Sequence, residues 1–387
     1  MKRVAFITDQ HICFATRWEE TLRVMDWCAA RLEQEQPDVI ALGGDLFDRR
    51  PDVFELRVVA EWLVRLAAIA PVVGVAGNHD PVGLTVFNFL ASKHPIHFAD
   101  VPEVWHAAGV DLLLLPWPRK SHLLAQLGEA GKEEARQVGV DLLLNVLRGL
   151  GASGSSDGPR CFVGHVQLCG AKVSTGQPLA PGADFELGTQ DLALARCDAY
   201  LLGHIHLPDD TMIGDSPVSY GGSFRRTAYG EVEEKSMVVV GFDGPVVTRE
   251  RITIPCAPML LCTAHWYTEH VGLPGDVVVP AGLCFDEDPA VLAGAEIRLR
   301  YSVDADQRDA AKAAAAEWKQ RALEAGAIDC KVEEMVRSVN TARAPEIAKA
   351  ATLDEKLAAY WKARGTTPSA ERAGTLLSMA HELEQVA

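Results

Sequence analysis

Short apolar runs alternate along this chain with longer stretches in which apolar residues recur every three or four positions. Val4-Ala-Phe-Ile7, Asp38-Val-Ile-Ala-Leu42, Pro71-Val-Val-Gly-Val75, Leu112 to Leu115, Cys161-Phe-Val163 and Tyr200-Leu-Leu202 have the length and bulk of buried strands. Between the first two runs, Leu22, Met25, Cys28 and Leu32 fall on one face of a helix. Leu56, Val59, Leu63 and Leu66 do the same within residues 54–70. Strands that alternate with helices predict an α/β architecture.

The pattern changes after Gly203. Val218 to Tyr220 and Ser236 to Gly241 read as antiparallel strands that close a first domain over residues 1–255. Residues 149–159, rich in glycine and serine, read as a flexible surface loop inside it. Further on, a strand at Glu296 to Val303, an alanine-rich helix at Asp304 to Ala325 and a strand at Ile328 to Met335 form a β-α-β unit, placed in a second domain over 256–340. The remaining 341–387 carries two helix signatures. Thr352-Leu-Asp-Glu355 is a capping box that opens a helix with Leu353, Leu357 and Tyr360 on one face. Thr367-Pro368 opens another, with Leu376, Leu377, Ala380 and Leu383.

Chemistry collects where the strands stop. The first ends in Asp9-Gln-His11, the second in Gly43-Gly-Asp45-Leu-Phe-Asp48, and the third in Gly77-Asn-His79-Asp80. Two later strands end in Gly164-His165 and Gly203-His204-Ile-His206. Ligand sites of α/β sheets lie at the carboxyl ends of strands, so the five segments are expected to converge, with the glycines of the last four allowing a sharp turn after each strand. Carboxylate, amide and imidazole together suit Mn²⁺, Fe²⁺ or Zn²⁺. A central carboxylate such as Asp45 can bridge a pair of such ions. In extended backbone, residues two apart point the same way, which gives the Asp-x-His and His-x-His spacings one shared target. Single histidines are ordinary structural residues, and capping or turn formation accounts for one or two such blocks but not for five.

Charge and cysteine content refine this picture. A net charge of −16 argues against indiscriminate nucleic-acid binding. Three basic pairs, Arg49-Arg50, Arg119-Lys120 and Arg225-Arg226, stand near the motif loops as candidates for contact with phosphate. Nine scattered cysteines form no CxxC pair and read as reduced thiols. The opening MKRVAFITDQH reaches a carboxylate after a short apolar run, too short for a signal-peptide core, and no segment has the length of a membrane helix. The expectation is a cytoplasmic protein.

DxH, GDxxD, GNHD, GH and GHxH in this order resemble the calcineurin-like metallophosphoesterase superfamily. The resemblance implies a β-sandwich flanked by helices, with one metal held by Asp9, His11, Asp45 and His206 and a second by Asp45, Asn78, His165 and His204. It implies that His79 protonates the leaving oxygen and that Asp48 orients His79, with Asp80 a weaker candidate for that support. Tyr220-Gly-Gly-Ser-Phe-Arg-Arg, the leucine run into Pro-Trp-Pro-Arg-Lys120 and the β-α-β unit resemble the SbcD-type nuclease branch. That branch implies Mn²⁺-dependent cleavage of DNA, a capping domain over 256–340, and C-terminal helices that dock an SbcC-type SMC-like ATPase. It also implies a homodimer with no membrane association. A small-molecule or cyclic-nucleotide phosphodiesterase of the same fold and a non-catalytic scaffold are the competing readings. The intact ligand set disfavours the scaffold, and the long continuation after His206 disfavours the small-molecule enzyme. Ile12-Cys13 and Leu207 depart from the usual neighbours of the first and last motifs.

Overall fold

The computed structural model describes residues 1–81, 83–119, 132–154, 158–177, 185–267, 271–273, 277–279, 282–337, 347, 350 and 352–384. In chain order the strands are β1 (Lys2–Ile7), β2 (Val39–Leu42), β3 (Val72–Val75), β4 (Ile96–Ala99), β5 (Glu103–Ala107), β6 (Val110–Leu115), β7 (Arg160–His165), β8 (Gln167–Leu168), β9 (Glu186–Leu187), β10 (Ala199–Gly203), β11 (Asp209–Ile213), β12 (Ser216–Tyr220), β13 (Ser236–Asp243) and β14 (Val246–Thr253). Helix α1 (Trp18–Glu35) joins β1 to β2, and α2 (Val53–Leu66) joins β2 to β3. Apart from the short β8–β9 pair, these strands form two six-stranded sheets. Their orders are β14-β13-β1-β2-β3-β4 and β11-β12-β10-β7-β6-β5.

The apolar runs form these strands because both of their faces are buried. Val4 and Phe6 of β1 face one way with Val39 and Ala41 of β2, against Leu112, Leu114, Val163 and Leu201 of the other sheet. Ala5 and Ile7 face the opposite way with Ile40 and Leu42, under Met25, Cys28 and Leu32 of α1 and Val59, Leu63 and Leu66 of α2. On the far side, Leu113, Phe162, Tyr200 and Leu202 pack under Leu143 and Leu147 of the helix Lys132–Ala152. The result is a four-layer α/β sandwich. Each fully buried Val, Leu, Ile or Phe contributes roughly 1.5–3 kcal/mol. The sandwich thus supplies the stability on which the loops that carry the polar motifs depend.

Parallel pairing fixes where those loops lie. β1, β2, β3 and β4 run parallel, as do β6, β7, β10 and β12. Main-chain bonds then tie strand-end loops together across the edge. Asp9 N donates to Gly44 O at 3.0 Å, His11 N to Asp45 O at 3.0 Å, and Phe224 N to Asp9 O at 3.1 Å. A capping box between Asp52 and Glu55 starts α2 directly after the second motif. Two details differ from the sequence reading. β12 runs parallel to β10, and its antiparallel neighbour is β11. Residues 149–152 are not loop: they complete the helix Lys132–Ala152, whose last turn is anchored by buried Leu150.

Past β14 lie β15 (Met259–Tyr267), β16 (Val271–Leu273), β17 (Val277–Val279), β18 (Gly282–Phe285), β19 (Glu296–Asp304) and β20 (Asp329–Arg337). The sheet order there is β18-β15-β19-β20, with β16 and β17 paired separately. The chain divides into two compact units, one of residues 1–262, 289–298 and 321–331 and one of residues 263–288, 299–320 and 332–387. Within the second unit, Leu299, Tyr301 and Val303 alternate inward along β19, and Ala311, Ala315 and Trp318 of the helix Arg308–Glu324 are likewise buried. The Thr352–Glu355 capping box opens the helix Leu353–Arg364, which buries none of its residues. A last helix spans Ala370–Glu384. No helix among the described residues is long and apolar enough to cross a membrane.

Candidate metal centre

Asp9 and His11 follow β1, Asp45 and Asp48 follow β2, Asn78 and His79 follow β3, His165 ends β7, and His204 and His206 follow β10. Seven of these side chains converge. His11 Nε2 lies 2.9 Å from His206 Nε2, 3.7 Å from Asp45 Oδ2 and 4.0 Å from Asp9 Oδ1. His165 Nε2 lies 3.3 Å from the same Asp45 Oδ2. Asn78 Oδ1 stands 3.0 Å from His165 Nε2 and 3.0 Å from His204 Nδ1. The Asp45 carboxylate thus sits between two groups of donors. Asp9–His11–His206, Asp9–Asp45–His165 and His11–Asp45–His79 each bring ligand atoms within 4.8 Å of one another.

The donor set fits divalent cations. Two imidazole nitrogens meeting at 2.9 Å satisfy each other only if one carries a proton, whereas a cation satisfies both lone pairs. His165 donates from Nδ1 to Gly43 O at 2.7 Å, which leaves Nε2 free as a ligand. Buried His204 Nε2 has no hydrogen-bond partner among the described residues. Oxygen and imidazole donors without thiolate match Mn²⁺, Fe²⁺ or Zn²⁺.

The backbone that presents these ligands is not extended. Asp9, His11, Asp45 and His204 have φ of 51°, 44°, 49° and 90°, and left-handed non-glycine residues cost of order 1–3 kcal/mol each. The pairwise orientation of Asp9 with His11 and of His204 with His206 therefore comes from tight turns rather than from strand alternation. The glycines also act differently from the expectation. Only Gly44, with φ of 96°, makes a left-handed turn, whereas Gly77, Gly164 and Gly203 do not. At Gly77 the constraint is space, since a Cβ there would stand 2.1 Å from Asp45 Oδ1.

Asp48 takes a different part from the expected one. Its carboxylate Oδ1 lies 3.3 Å from His11 Nδ1, and its main-chain carbonyl accepts from His79 Nδ1 at 2.8 Å. His79 is therefore held by a carbonyl, its side chain exposed and its ring edge-on to His11 at 5.0 Å. Asp80 does not reach His79: its buried carboxylate accepts from Gly77 N at 2.8 Å and Phe47 N at 3.0 Å, bracing both loops.

Charges within the cluster act on one another. Burial works against the His165 cation, but the Asp45 and Asp9 carboxylates overcome it and raise the group to about 9. Burial also opposes the Asp45 carboxylate, yet the surrounding histidines hold it below the usual range. Burial, followed by the His165 charge, pushes His204 down to about 3. Burial and His11 push His206 down to about 2.

The basic residues are dispersed. Arg49 is exposed and pairs with Glu55 at 3.0 Å, while Arg50 is exposed. Arg119 donates to Asp80 O at 2.8 Å, and Lys120 lies outside the described residues. Arg226 is taken up by the carbonyls of Glu231, Glu233 and Cys256. Arg225 is buried.

Three supporting groups escaped the sequence reading. Gln177 donates to His204 O at 2.6 Å and accepts from His206 N at 3.0 Å, clasping the last motif from a remote loop. Trp117 lies over His204 with ring centroids 4.6 Å apart. Thr227 Oγ1 stands 3.3 Å from His206 Nδ1 and donates to Glu231 at 2.9 Å. Only Trp117 had a signal, in its position just after β6.

A family model described as calcineurin-like phosphoesterase matches residues 2–208. The D subunit of nuclease SbcCD from Staphylococcus epidermidis (strain ATCC 12228 / FDA PCI 1200) is 24% identical over 212 residues, 52% of this chain and 54% of that protein. The match thus spans about half of that relative's length. Among solved structures, TT1561 of Thermus thermophilus is 12% identical with a TM-score of 0.38, covering 65% of this chain and 98% of that one. GAP50, the anchor in the inner membrane complex of Plasmodium, is 12% identical with a TM-score of 0.43, covering 65% of this chain and 84% of that one.

Proposed function

Because the chain belongs to the calcineurin-like phosphoesterase family, we propose that it is a two-metal nuclease that hydrolyses phosphodiester bonds in DNA. The observation that carries the hydrolytic reading is the convergence of Asp9, His11, Asp45, Asn78, His165, His204 and His206 around one shared carboxylate, with His79 at its rim. Asp9, His11, Asp45 and His206 would hold one ion, and Asp45, Asn78, His165 and His204 the other, with Mn²⁺ the expected metal. A pair of such ions supplies an activated water and neutralises charge on the phosphoryl oxygens.

The chain's own part lies with His79. As an imidazolium it donates Nε2–H to the departing oxygen, and the electrons of the breaking P–O bond take up that proton. The Asp48 carbonyl holds Nδ1–H at 2.8 Å, so the neutral tautomer left behind is the one already bonded. Gln177 and Thr227 fix His204 and His206 from behind, and the Asp48 carboxylate fixes His11.

DNA as substrate is supported by the likeness to a nuclease subunit and by the β-α-β unit of β19, the helix Arg308–Glu324 and β20 after the phosphoesterase match. The same relative, by name one subunit of a nuclease assembly, supports an SbcC-type SMC-like ATPase as partner. The helices Leu353–Arg364 and Ala370–Glu384 would dock it. Cutting at double-strand ends and within single strands or hairpins, dimer formation and a cytoplasmic setting complete the reading.

The deciding experiment is hydrolysis by the purified chain with Mn²⁺, on linear duplex DNA, single-stranded DNA and bis-p-nitrophenyl phosphate, with His79→Ala as control. DNA cleavage lost in the variant is the expected result. Turnover of the small diester with DNA untouched, even with the partner ATPase added, points instead to a small-molecule phosphodiesterase.

A further inference from the structure

Two cavities adjoin at the metal centre. One, of about 220 Å³, is lined by His11, Asp45, Asn78, His204 and His206 together with His79 and Gln177. The other, of about 310 Å³, shares His11, Asp48 and Thr227 with it and has a further wall that includes Arg17, Arg225, Glu296 and Lys331. That further wall takes no part in holding the metals or His79.

Its cations are not equivalent. Arg17 is neutralised: Nη2 lies 2.6 Å from Glu20, Nε 2.6 Å from Glu296, and Nη1 donates to Arg226 O at 2.8 Å. Arg225 is only 4% exposed. It donates from Nη1 to Arg226 O at 3.3 Å, and its Nε has no hydrogen-bond partner among the described residues. The carboxylates nearby hold other partners: Glu20 and Glu296 pair with Arg17, and Asp48 stands against His11. Glu20, Asp48 and Glu296 act on Arg225 through their charges, but none is bonded to it among the described residues, so its burial is offset only in part. A guanidinium fork matches phosphate oxygens. Lys331 adds an exposed cation at the mouth of the same cavity. In a chain of net charge −16, a cationic wall beside the metal centre is a local exception.

We infer that Arg225, assisted by Lys331, binds a second phosphodiester of a polynucleotide, next along the strand from the one at the metal centre. The inference rests on the nuclease reading and deepens it. Arg225 becomes a residue that distinguishes a polymer, which carries a second phosphate, from a small diester, which does not. Phosphate contacts of this kind position the strand without reading its bases.

The test compares a short single-stranded oligonucleotide with bis-p-nitrophenyl phosphate, in the full chain with Mn²⁺, for wild type, Arg225→Met, Arg225→Lys and Lys331→Ala. The oligonucleotide-to-diester ratio of kcat/KM is expected to fall about tenfold or more in Arg225→Met, carried by KM, and less in Lys331→Ala. Oligonucleotide affinity, measured by fluorescence anisotropy with Ca²⁺ in place of Mn²⁺, should depend less steeply on salt. The slope of log Kd against log salt should be shallower by ~0.7 for Arg225→Met, and Arg225→Lys should regain most of it. An unchanged ratio and slope overturn the inference, as does an equal loss on both substrates. If Arg225→Met does not fold, Arg225→Lys and Lys331→Ala decide, and wild-type slopes in Lys331→Ala count against the site. Wild-type protein that turns over the diester but not DNA would instead remove the nuclease reading beneath it.

Discussion

The carboxylate of Asp48 lies 3.3 Å from Nδ1 of His11, on the ring edge opposite the Nε2 that meets His206 at 2.9 Å. A carboxylate on the far nitrogen orients an imidazole and makes the near one a stronger ligand, and losing such a partner costs about 10–100-fold in metal affinity. Asp48→Asn is therefore expected to weaken uptake of one Mn²⁺ ion by about that factor, with activity partly recovered at high Mn²⁺. Calorimetric titration with Mn²⁺ measures it. Undiminished affinity with lost turnover would return Asp48 to a role beside His79.

His79 stands outside the seven expected ligands, yet its ring nitrogen lies within 4.8 Å of the ligand atoms of His11 and Asp45. Its Nδ1 is committed to the Asp48 carbonyl, which leaves Nε2 for the substrate. His79→Ala is expected to keep two Mn²⁺ per chain by elemental analysis while kcat falls about 10²–10⁴-fold, the usual worth of a positioned acid. One lost ion per chain would make His79 a ligand.

The converging residues are legible in the sequence because buried parallel strands advertise themselves as apolar runs, and polar residues placed straight after them have one edge to occupy. The path of the backbone between ligands is not. Asp9, His11 and His204 reach the centre from left-handed conformations, which no spacing rule encodes. Support from distant loops is equally hidden: Gln177 reaches His204 and His206 across a fold contact. The pair Arg225-Arg226 reads as one patch in sequence, yet one guanidinium is spent on carbonyls and the other faces a cavity. Neighbouring residues on a turn diverge, so only the folded chain separates them.

Asp210, on β11, offers a pH-dependent handle away from the metals. Its carboxylate is 2.6 Å from Arg251 and 3.4 Å from Arg249. Partial burial opposes its ionisation, but hydrogen bonds from Arg251 and Ser219 and the Arg249 charge outweigh that and lower its pKa. A carboxyl lowered on folding stabilises the protein above its unfolded value of about 3.9, and this contribution is lost as pH falls through the folded value. Asp210→Asn should therefore lower Tm near pH 6 and show a flatter decline below about pH 4. Thermal melts of both proteins from pH 6 to the acid limb test this, and parallel curves would dismiss the ion pair as a stabilising element.

Lys235 is fully buried, with Nζ 2.6 Å from Glu231 and 2.7 Å from Glu233, and it donates to His206 O at 3.2 Å. Glu231 in turn accepts from Thr227 Oγ1 at 2.9 Å and Ala228 N at 2.9 Å, so one buried ammonium anchors the segment that backs His206. Removing a single partner from a buried pair leaves the other charge uncompensated and costs about 3–5 kcal/mol. Lys235→Met is accordingly expected to lower Tm by roughly 5–15 °C and to loosen the His206 side of the centre, read as weaker Mn²⁺ retention on dialysis. Neutralising the closest partner as well, in Glu231→Gln with Lys235→Met, should restore part of the lost stability, because no buried Glu231 carboxylate then stands unpaired. If the single variant melts with wild type, the ammonium is not what holds this segment. If the double variant is no better than the single, the loss lies in packing and in the bond to His206 O rather than in charge.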